Sequence, residues 1–206
     1  MEEHLMKILI IGDSNVGKSS FVNRYINGKF NEMYKATVGV DFSVKVLQWS
    51  ENEKVRLQLW DIAGLERFTS MTRVYYKGAL GCVVMFDVTE SSSFLNCHSW
   101  KEDLDNKAML PIGDSIPCIL LANKCDLPDR AVSADSIDEF SKAIGFFTWM
   151  ETSVKENMNI GESMRRLVQE ILSVQSSVDP LHPRRQVTIN FQLESEVDNS
   201  TRRACC

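Results

Sequence analysis

Residues 12–19 carry the strongest chemical pattern of the sequence, the spacing G-x-x-x-x-G-K-[ST]. In this pattern, glycines let the backbone wrap closely around phosphates while successive N–H groups point at the anion. Lys18 would neutralise charge on the β- and γ-phosphates, and the Ser19 hydroxyl would ligate Mg²⁺. We therefore predict a phosphate loop, with nucleotide bound by Gly12, Ser14, Asn15, Val16, Gly17, Lys18, Ser19 and Ser20.

A second pattern, N-K-x-D at Asn123, Lys124 and Asp126, follows an apolar run and would select the base. The Asp126 carboxylate can accept from the N1–H and N2 amino donors of guanine. Adenine lacks both donors in that arrangement and would leave the charge unpaired. The Lys124 stem can cover the ring, and we expect a backbone N–H near Val154 to meet guanine O6. The predicted ligand is GTP or GDP, with Ser153, Val154 and Lys155 completing the base site.

Asp61, Gly64 and Thr37 form a third set of candidates. Asp61 ends a predicted strand, where its carboxylate can reach Mg²⁺, through water. Gly64 allows the backbone to approach the γ-phosphate, and Thr37 offers a second hydroxyl. The predicted metal ligands are Ser19, Thr37 and Asp61.

The elements that must position these residues follow from apolar runs alternating with longer amphipathic stretches, the pattern of an α/β fold. We predict strands over 5–11, 41–48, 55–61, 81–87, 118–123 and 146–151, and helices over 18–27, 68–77, 93–107, 135–143 and 160–174. The linker between the second and third strands is too short for a crossover helix, which predicts an antiparallel hairpin. The expected fold is a six-stranded, mostly parallel sheet with one antiparallel edge strand and helices on both faces.

The bulk composition excludes several classes of protein. With 206 residues, the chain predicts one domain over 1–175 and a flexible tail over 176–206, where proline and polar residues replace the helical pattern. A net charge of −5 argues against nucleic-acid binding. No apolar run is long enough to cross a bilayer, and the acidic start predicts no secretory signal. We interpret Cys82, Cys97, Cys118 and Cys125 as buried reduced thiols.

Taken together, the motifs between residues 5 and 174 resemble the Ras-superfamily small GTPases. Segments 37–42, 66–68 and 75–79 and the terminal Cys205-Cys206 resemble Rab proteins. Ile62, with 45–49 and 56–60, is similar to the Rab branch that serves lysosome-related organelles and the trans-Golgi.

The resemblance implies a switch that regulates vesicle trafficking. Phe30 would lie against the guanine edge, Tyr34 and Thr37 would belong to one nucleotide-sensing loop, and residues 63–76 would form another. Such loops are ordered by the γ-phosphate and Mg²⁺ and relax after hydrolysis. The resemblance implies a monomer whose partners are effectors, an exchange factor, an activating protein and lipid-shielding escort proteins. The effectors would bind an exposed aromatic trio of Phe42, Trp60 and Tyr75.

Leu65 departs from the family pattern, which places there a glutamine that orients the attacking water. Leucine cannot hydrogen-bond water, so we expect GTP to bind normally while its hydrolysis is slow. The predicted catalytic positions, beside the γ-phosphate, are Leu65, Gly64, Lys18 and Thr37. A natural leucine and one engineered to trap the GTP form look the same in the sequence, and an activating protein can supply its own glutamine and arginine. The alternatives are a non-catalytic GTP-bound scaffold and an enzyme transferring phosphate to a small molecule, for which no acceptor residues stand out.

The terminal cysteines Cys205 and Cys206 are adjacent, and in the Rab-like interpretation both carry geranylgeranyl groups. One lipid chain anchors marginally, whereas two anchor stably. The expected location is the cytoplasmic face of trans-Golgi, endosomal or lysosome-related membranes, with an escorted cytosolic pool.

Overall fold

The computed structural model describes residues 2–31, 37–64, 72–110 and 113–178. In these residues, six strands form one sheet in the order β2-β3-β1-β4-β5-β6. All neighbouring strands are parallel except β2 and β3, which confirms the predicted edge hairpin. The strands are β1 Glu2–Gly12, β2 Val40–Gln48, β3 Glu53–Ile62, β4 Gly81–Asp87, β5 Cys118–Asn123 and β6 Thr148–Glu151.

Within the described ranges, five helices connect or follow the strands. They are α1 Lys18–Asn27, α2 Thr72–Tyr76, α3 Ser91–Lys107, α4 Ala134–Ile144 and α5 Ile160–Val178. The bounds of α1 agree with the prediction, and those of α3 and α4 differ by one or two residues. Of the helix predicted over 68–77, only Thr72–Tyr76 is helical among the described residues, because 65–71 lie outside them.

The core has two layers because the central strands are buried on both faces. On one face, strand residues such as Leu9 and Val84 pack with Trp100 of α3 and Ile137 of α4. On the other face, the strands pack against apolar side chains of α1 and α5, including Phe21, Met164, Leu167 and Ile171. Because β1, β3, β4 and β5 run parallel to one another, their carboxyl ends lie at the same end of the sheet.

Several predicted boundaries were wrong by two to four residues. β1 begins at Glu2 rather than at 5, and β3 begins at Glu53 rather than at 55. Strand β6 begins at Thr148 rather than at 146, because Phe146 still belongs to the end of α4, where its N–H donates to the Ser141 carbonyl at 3.0 Å. Helix α5 continues through Val178, so three residues expected in the tail are helical. The Ser176 and Ser177 hydroxyls there donate to the Ser173 carbonyl at 2.8 and 2.9 Å.

Several predicted features lie outside the described residues: Tyr34, Leu65, the tail from 179 onward, and Cys205 and Cys206. The four internal cysteines are free thiols; Cys82, Cys97 and Cys118 are buried as predicted, whereas Cys125 is half-buried beside the base-selecting motif. The helices in the described part of the chain are each too short or too polar to span a bilayer.

Candidate functional site

The phosphate loop connects the end of β1 to the start of α1, and its shape depends on glycine at both ends. Gly12 and Gly17 have φ of 139° and 103°, which L side chains rarely adopt. A Cβ on Gly12 would lie 2.2 Å from the Met85 carbonyl oxygen, and one on Gly17 would lie 2.5 Å from Asn123 Nδ2. Any side chain at either position would therefore displace β4 or the base-selecting motif.

The Lys18 ammonium lies within the curve of this loop. Its Nζ donates to the Gly12 carbonyl at 2.9 Å and to the Asp13 carbonyl at 2.7 Å, and the residue is only 6% exposed. Burial lowers the pKa of Lys18 to about 8, although the charges of Asp61 and Asp13 oppose the shift. The group is therefore mostly protonated at pH 7, and phosphate oxygens can replace the carbonyls as its acceptors.

The three predicted metal ligands converge beside Lys18. Ser19 Oγ lies 2.7 Å from Thr37 Oγ1 and donates a hydrogen bond to Asp61 Oδ2, while Thr37 Oγ1 is 3.4 Å from the same carboxylate oxygen. Burial raises the pKa of Asp61, whereas the Ser19 hydrogen bond and the Lys18 charge oppose the rise. Asp61 Oδ1 is buried without a hydrogen-bond partner. Two hydroxyls and an unsatisfied carboxylate oxygen are the donors that suit Mg²⁺, so these residues fit the ion.

Gly64 follows Asp61 by three residues and touches the phosphate loop. A Cβ there would lie 2.2 Å from the Ser14 backbone nitrogen and 2.6 Å from the Asp13 carbonyl carbon. No other residue fits this contact, which puts the Gly64 backbone directly against the predicted γ-phosphate region.

Asn123 ties the base-selecting motif to the phosphate loop. It is 2% exposed, and its Nδ2 donates to the Val16 carbonyl at 2.8 Å. Its Oδ1 accepts from the Thr152 hydroxyl at 3.2 Å and from the Val154 N–H at 3.3 Å. The Asn123 side chain thus joins three segments of the site, and its polar atoms already have partners within the protein.

The rest of the motif faces outward. Asp126 is exposed, so its carboxylate is free to meet a base. Lys124 has φ of 64°, and its Nζ lies 2.6 Å from Asp87 Oδ2 at the end of β4. Burial alone would raise the pKa of Asp87, but hydrogen bonds from Lys124 and Thr89 outweigh it and lower that pKa. Asp87 therefore fixes the lysine stem, a role that the sequence motifs did not indicate.

Among the described members of the base site, Ser153 and Val154 are buried and Lys155 is exposed. The Ser153 hydroxyl accepts from the Glu156 N–H at 3.0 Å, which closes the turn after β6. Phe30 is half-buried against the core layer that contains α1 and α5. Its expected contact with the guanine edge stays a prediction.

The predicted aromatic trio is less exposed than expected. Phe42 is 56% exposed and meets Trp60 edge-on, with ring centroids 4.4 Å apart. Trp60 and Tyr75 are half-buried against the core. The Lys7 ammonium lies 3.3 Å from the Trp60 ring centroid and donates to the Lys77 carbonyl at 2.9 Å, which fixes the orientation of the indole. Recognition of this trio by effectors stays a prediction.

The chain belongs to the Ras family of small GTPases, which residues 7–173 match. Within that family it is of the Rab type. It is 61% identical to Ras-related protein Rab-7L1 of Homo sapiens over 170 residues, which cover 82% of this chain and 84% of that protein. It is 53% identical to Ras-related protein Rab-32 of Mus musculus over 176 residues, covering 85% and 79% of the two chains. Ras-related protein Rab-32B of Dictyostelium discoideum is 43% identical over 206 residues, covering 100% of this chain and 79% of that one.

These relatives confirm the resemblance to Rab proteins and place the chain with Rab-7L1 and Rab-32. The protein is therefore a guanine-nucleotide-binding GTPase switch of membrane trafficking, whose partners include nucleotide, regulators and effectors.

Proposed function

We propose that this Rab-type GTPase works as a membrane-attached switch that binds nucleotide with Mg²⁺ and spends most of its cycle in the GTP form. The observation that carries the proposal is the convergence of Ser19, Thr37 and Asp61 beside Lys18, with Gly64 against the phosphate loop. When bound, Mg²⁺ would neutralise charge on the phosphates. The chain's own residues hold the triphosphate: Lys18 donates to its oxygens, and the loop N–H groups surround them.

The long GTP lifetime follows from Leu65, which comes directly after Gly64. A glutamine there would orient the attacking water through its amide. An isobutyl side chain has neither donor nor acceptor, so the water loses its orientation while the groups that bind nucleotide remain. The alternative is a scaffold that binds GTP without ever cycling.

Single-turnover hydrolysis of bound GTP tests this part of the proposal. We expect Leu65→Gln to hydrolyse at least about tenfold faster than the parent, which corresponds to ~1.4 kcal/mol in the barrier. Leu65→Met serves as the control because it changes the side chain without adding an amide, and it should stay as slow as the parent. Equal rates for the parent and Leu65→Gln would refute the role of position 65.

An activating protein separates a slow switch from a scaffold. An arginine finger supplied in trans contributes on the order of 10³–10⁵ in rate. If a Rab-activating protein that carries its own glutamine and arginine releases phosphate from the parent, the chain cycles. If none is released from the parent while Leu65→Gln responds, the scaffold interpretation is correct.

Membrane attachment through Cys205 and Cys206 is the remaining part of the proposal. Two geranylgeranyl chains bind a bilayer stably, whereas one binds marginally and reversibly. We expect the Cys205→Ser, Cys206→Ser double variant to move from the membrane to the soluble fraction of cells, and each single variant to divide between them. Cys97→Ser, which removes a buried thiol of α3, is the matched control. A double variant that still pellets with membranes would contradict lipid anchoring at these residues.

A further inference from the structure

Arg24 lies near the end of α1, and no nucleotide-binding motif of the sequence contains it. In the described part of the chain, its half-buried guanidinium donates hydrogen bonds to backbone carbonyls. The acceptors come from two separate segments, the end of α1 and the turn after β6. An arginine that bonds backbone oxygens through each of its three guanidinium nitrogens fixes the relative position of those segments.

Two of the three hydrogen bonds are to the turn that we expect to bind the guanine base. Arg24 Nε donates to the Val154 carbonyl at 2.9 Å, and Nη2 donates to the Lys155 carbonyl at 2.6 Å. The third bond, from Nη1 to the Gly28 carbonyl at 2.9 Å, lies at the end of α1 itself. The same guanidinium is 5.8 Å from the ring centroid of Phe30.

These contacts connect the two ends of the nucleotide site through a single helix. Helix α1 begins with Lys18 and Ser19 at the phosphates and ends close to Arg24 at the base. Val154 is 3% exposed, and its N–H has only a 3.3 Å contact with Asn123. Its carbonyl would lose a charged donor without Arg24, and a buried carbonyl without a partner is unfavourable. The turn would then move away from the base site.

We propose that Arg24 is a positioning residue, which holds the 153–155 turn against α1 and thereby slows the release of guanine nucleotide. The proposal rests on the guanine site described above. This role differs from simple capping of α1. Only Nη1 bonds a carbonyl at the end of α1, that of Gly28, whereas Nε and Nη2 bond the turn carbonyls of Val154 and Lys155.

The test is the dissociation rate of GDP carrying a fluorescent ribose label from the full chain, with Mg²⁺ present. We expect Arg24→Ala to release GDP about tenfold faster than the parent, in line with the loss of charge-assisted hydrogen bonds. Arg24→Lys should lie between them, because an ammonium keeps the charge but cannot bond both turn carbonyls in the same fork. The matched control is Arg166→Ala, which removes an exposed ion pair with Glu162 on α5 and should release GDP at the parent rate.

Two further readouts separate positioning from general loss of structure. Chelating Mg²⁺ should accelerate release by the same factor in the parent and in Arg24→Lys, because the metal acts at the other end of the site. Amide hydrogen exchange should speed up at residues 154–156 more than at the end of α1. Exchange that rises only at the end of α1, or GDP release within twofold of the parent in both variants, would overturn the proposal. If the parent itself fails to prefer GDP over ADP, the proposed function fails instead.

Discussion

At the scale of single residues, the phosphate loop is held from behind by α3. The Asp13 carboxylate accepts from the Trp100 indole N–H at 2.8 Å and from the Asn96 amide at 2.6 Å. Trp100 is fully buried, so its hydrogen bond to the charged acceptor is protected from water. Because Lys18 bonds the Asp13 carbonyl, the position of Asp13 also fixes the carbonyl that holds the lysine.

Trp100→Phe removes this N–H while keeping an aromatic ring in the core. A hydrogen bond to a charged group contributes ~1.5–3 kcal/mol, so we expect GDP affinity, measured by calorimetry, to fall by roughly tenfold or more. Trp149→Phe is the control, since its indole N–H also donates to a carboxylate, Asp138 Oδ1 at 3.2 Å, but away from the site. If both variants bind GDP as the parent does, the contact from α3 has no part in holding the loop.

The motif residues of the site could be predicted because each motif is local in sequence. The partners that position them could not. Trp100 and Asp13 are 87 residues apart, and Arg24 and Val154 are 130 apart. Their pairing depends on which helices the fold places beside the loops. Asp87 likewise belongs to no sequence motif that would have indicated its contact with Lys124.

At the scale of elements, the strands were predictable because burial on both faces makes them almost continuously apolar. All seven residues of β4 and all six of β5 are buried. Apart from the early starts of β1 at Glu2 and β3 at Glu53, the errors of two or more residues lie near helix ends, where capping decides the boundary. Gly145 has φ of 83° and ends α4, and the hydrogen bond of the next residue to Ser141 postpones β6. Helix α5 continues to Val178 through the polar residues 175–177, and the hydroxyls of Ser176 and Ser177 donate to the Ser173 carbonyl.

At the scale of the whole molecule, the predicted site residues lie together at the carboxyl ends of the parallel strands. The ends of β1, β3, β4 and β5 supply the phosphate loop, Asp61, Asp87 and the base-selecting motif. Asn123 crosses from the base motif to the phosphate loop, and Arg24 crosses from α1 to the turn after β6. Side-chain hydrogen bonds thus join the predicted base site to the predicted phosphate site.

We propose above all that Asp126 and Lys18 bind opposite ends of one guanine nucleotide. Calorimetric titration of the nucleotide-stripped full chain with GTP and with ATP, in excess Mg²⁺, tests it most directly. We predict a preference for GTP of at least ~10³-fold, because a site built to hydrogen-bond a particular edge rejects a ligand that lacks it. Asp126→Ala should abolish most of that preference, and chelating Mg²⁺ should weaken GTP binding without altering the choice of base. Equal affinity for ATP and GTP in the parent chain would contradict the account.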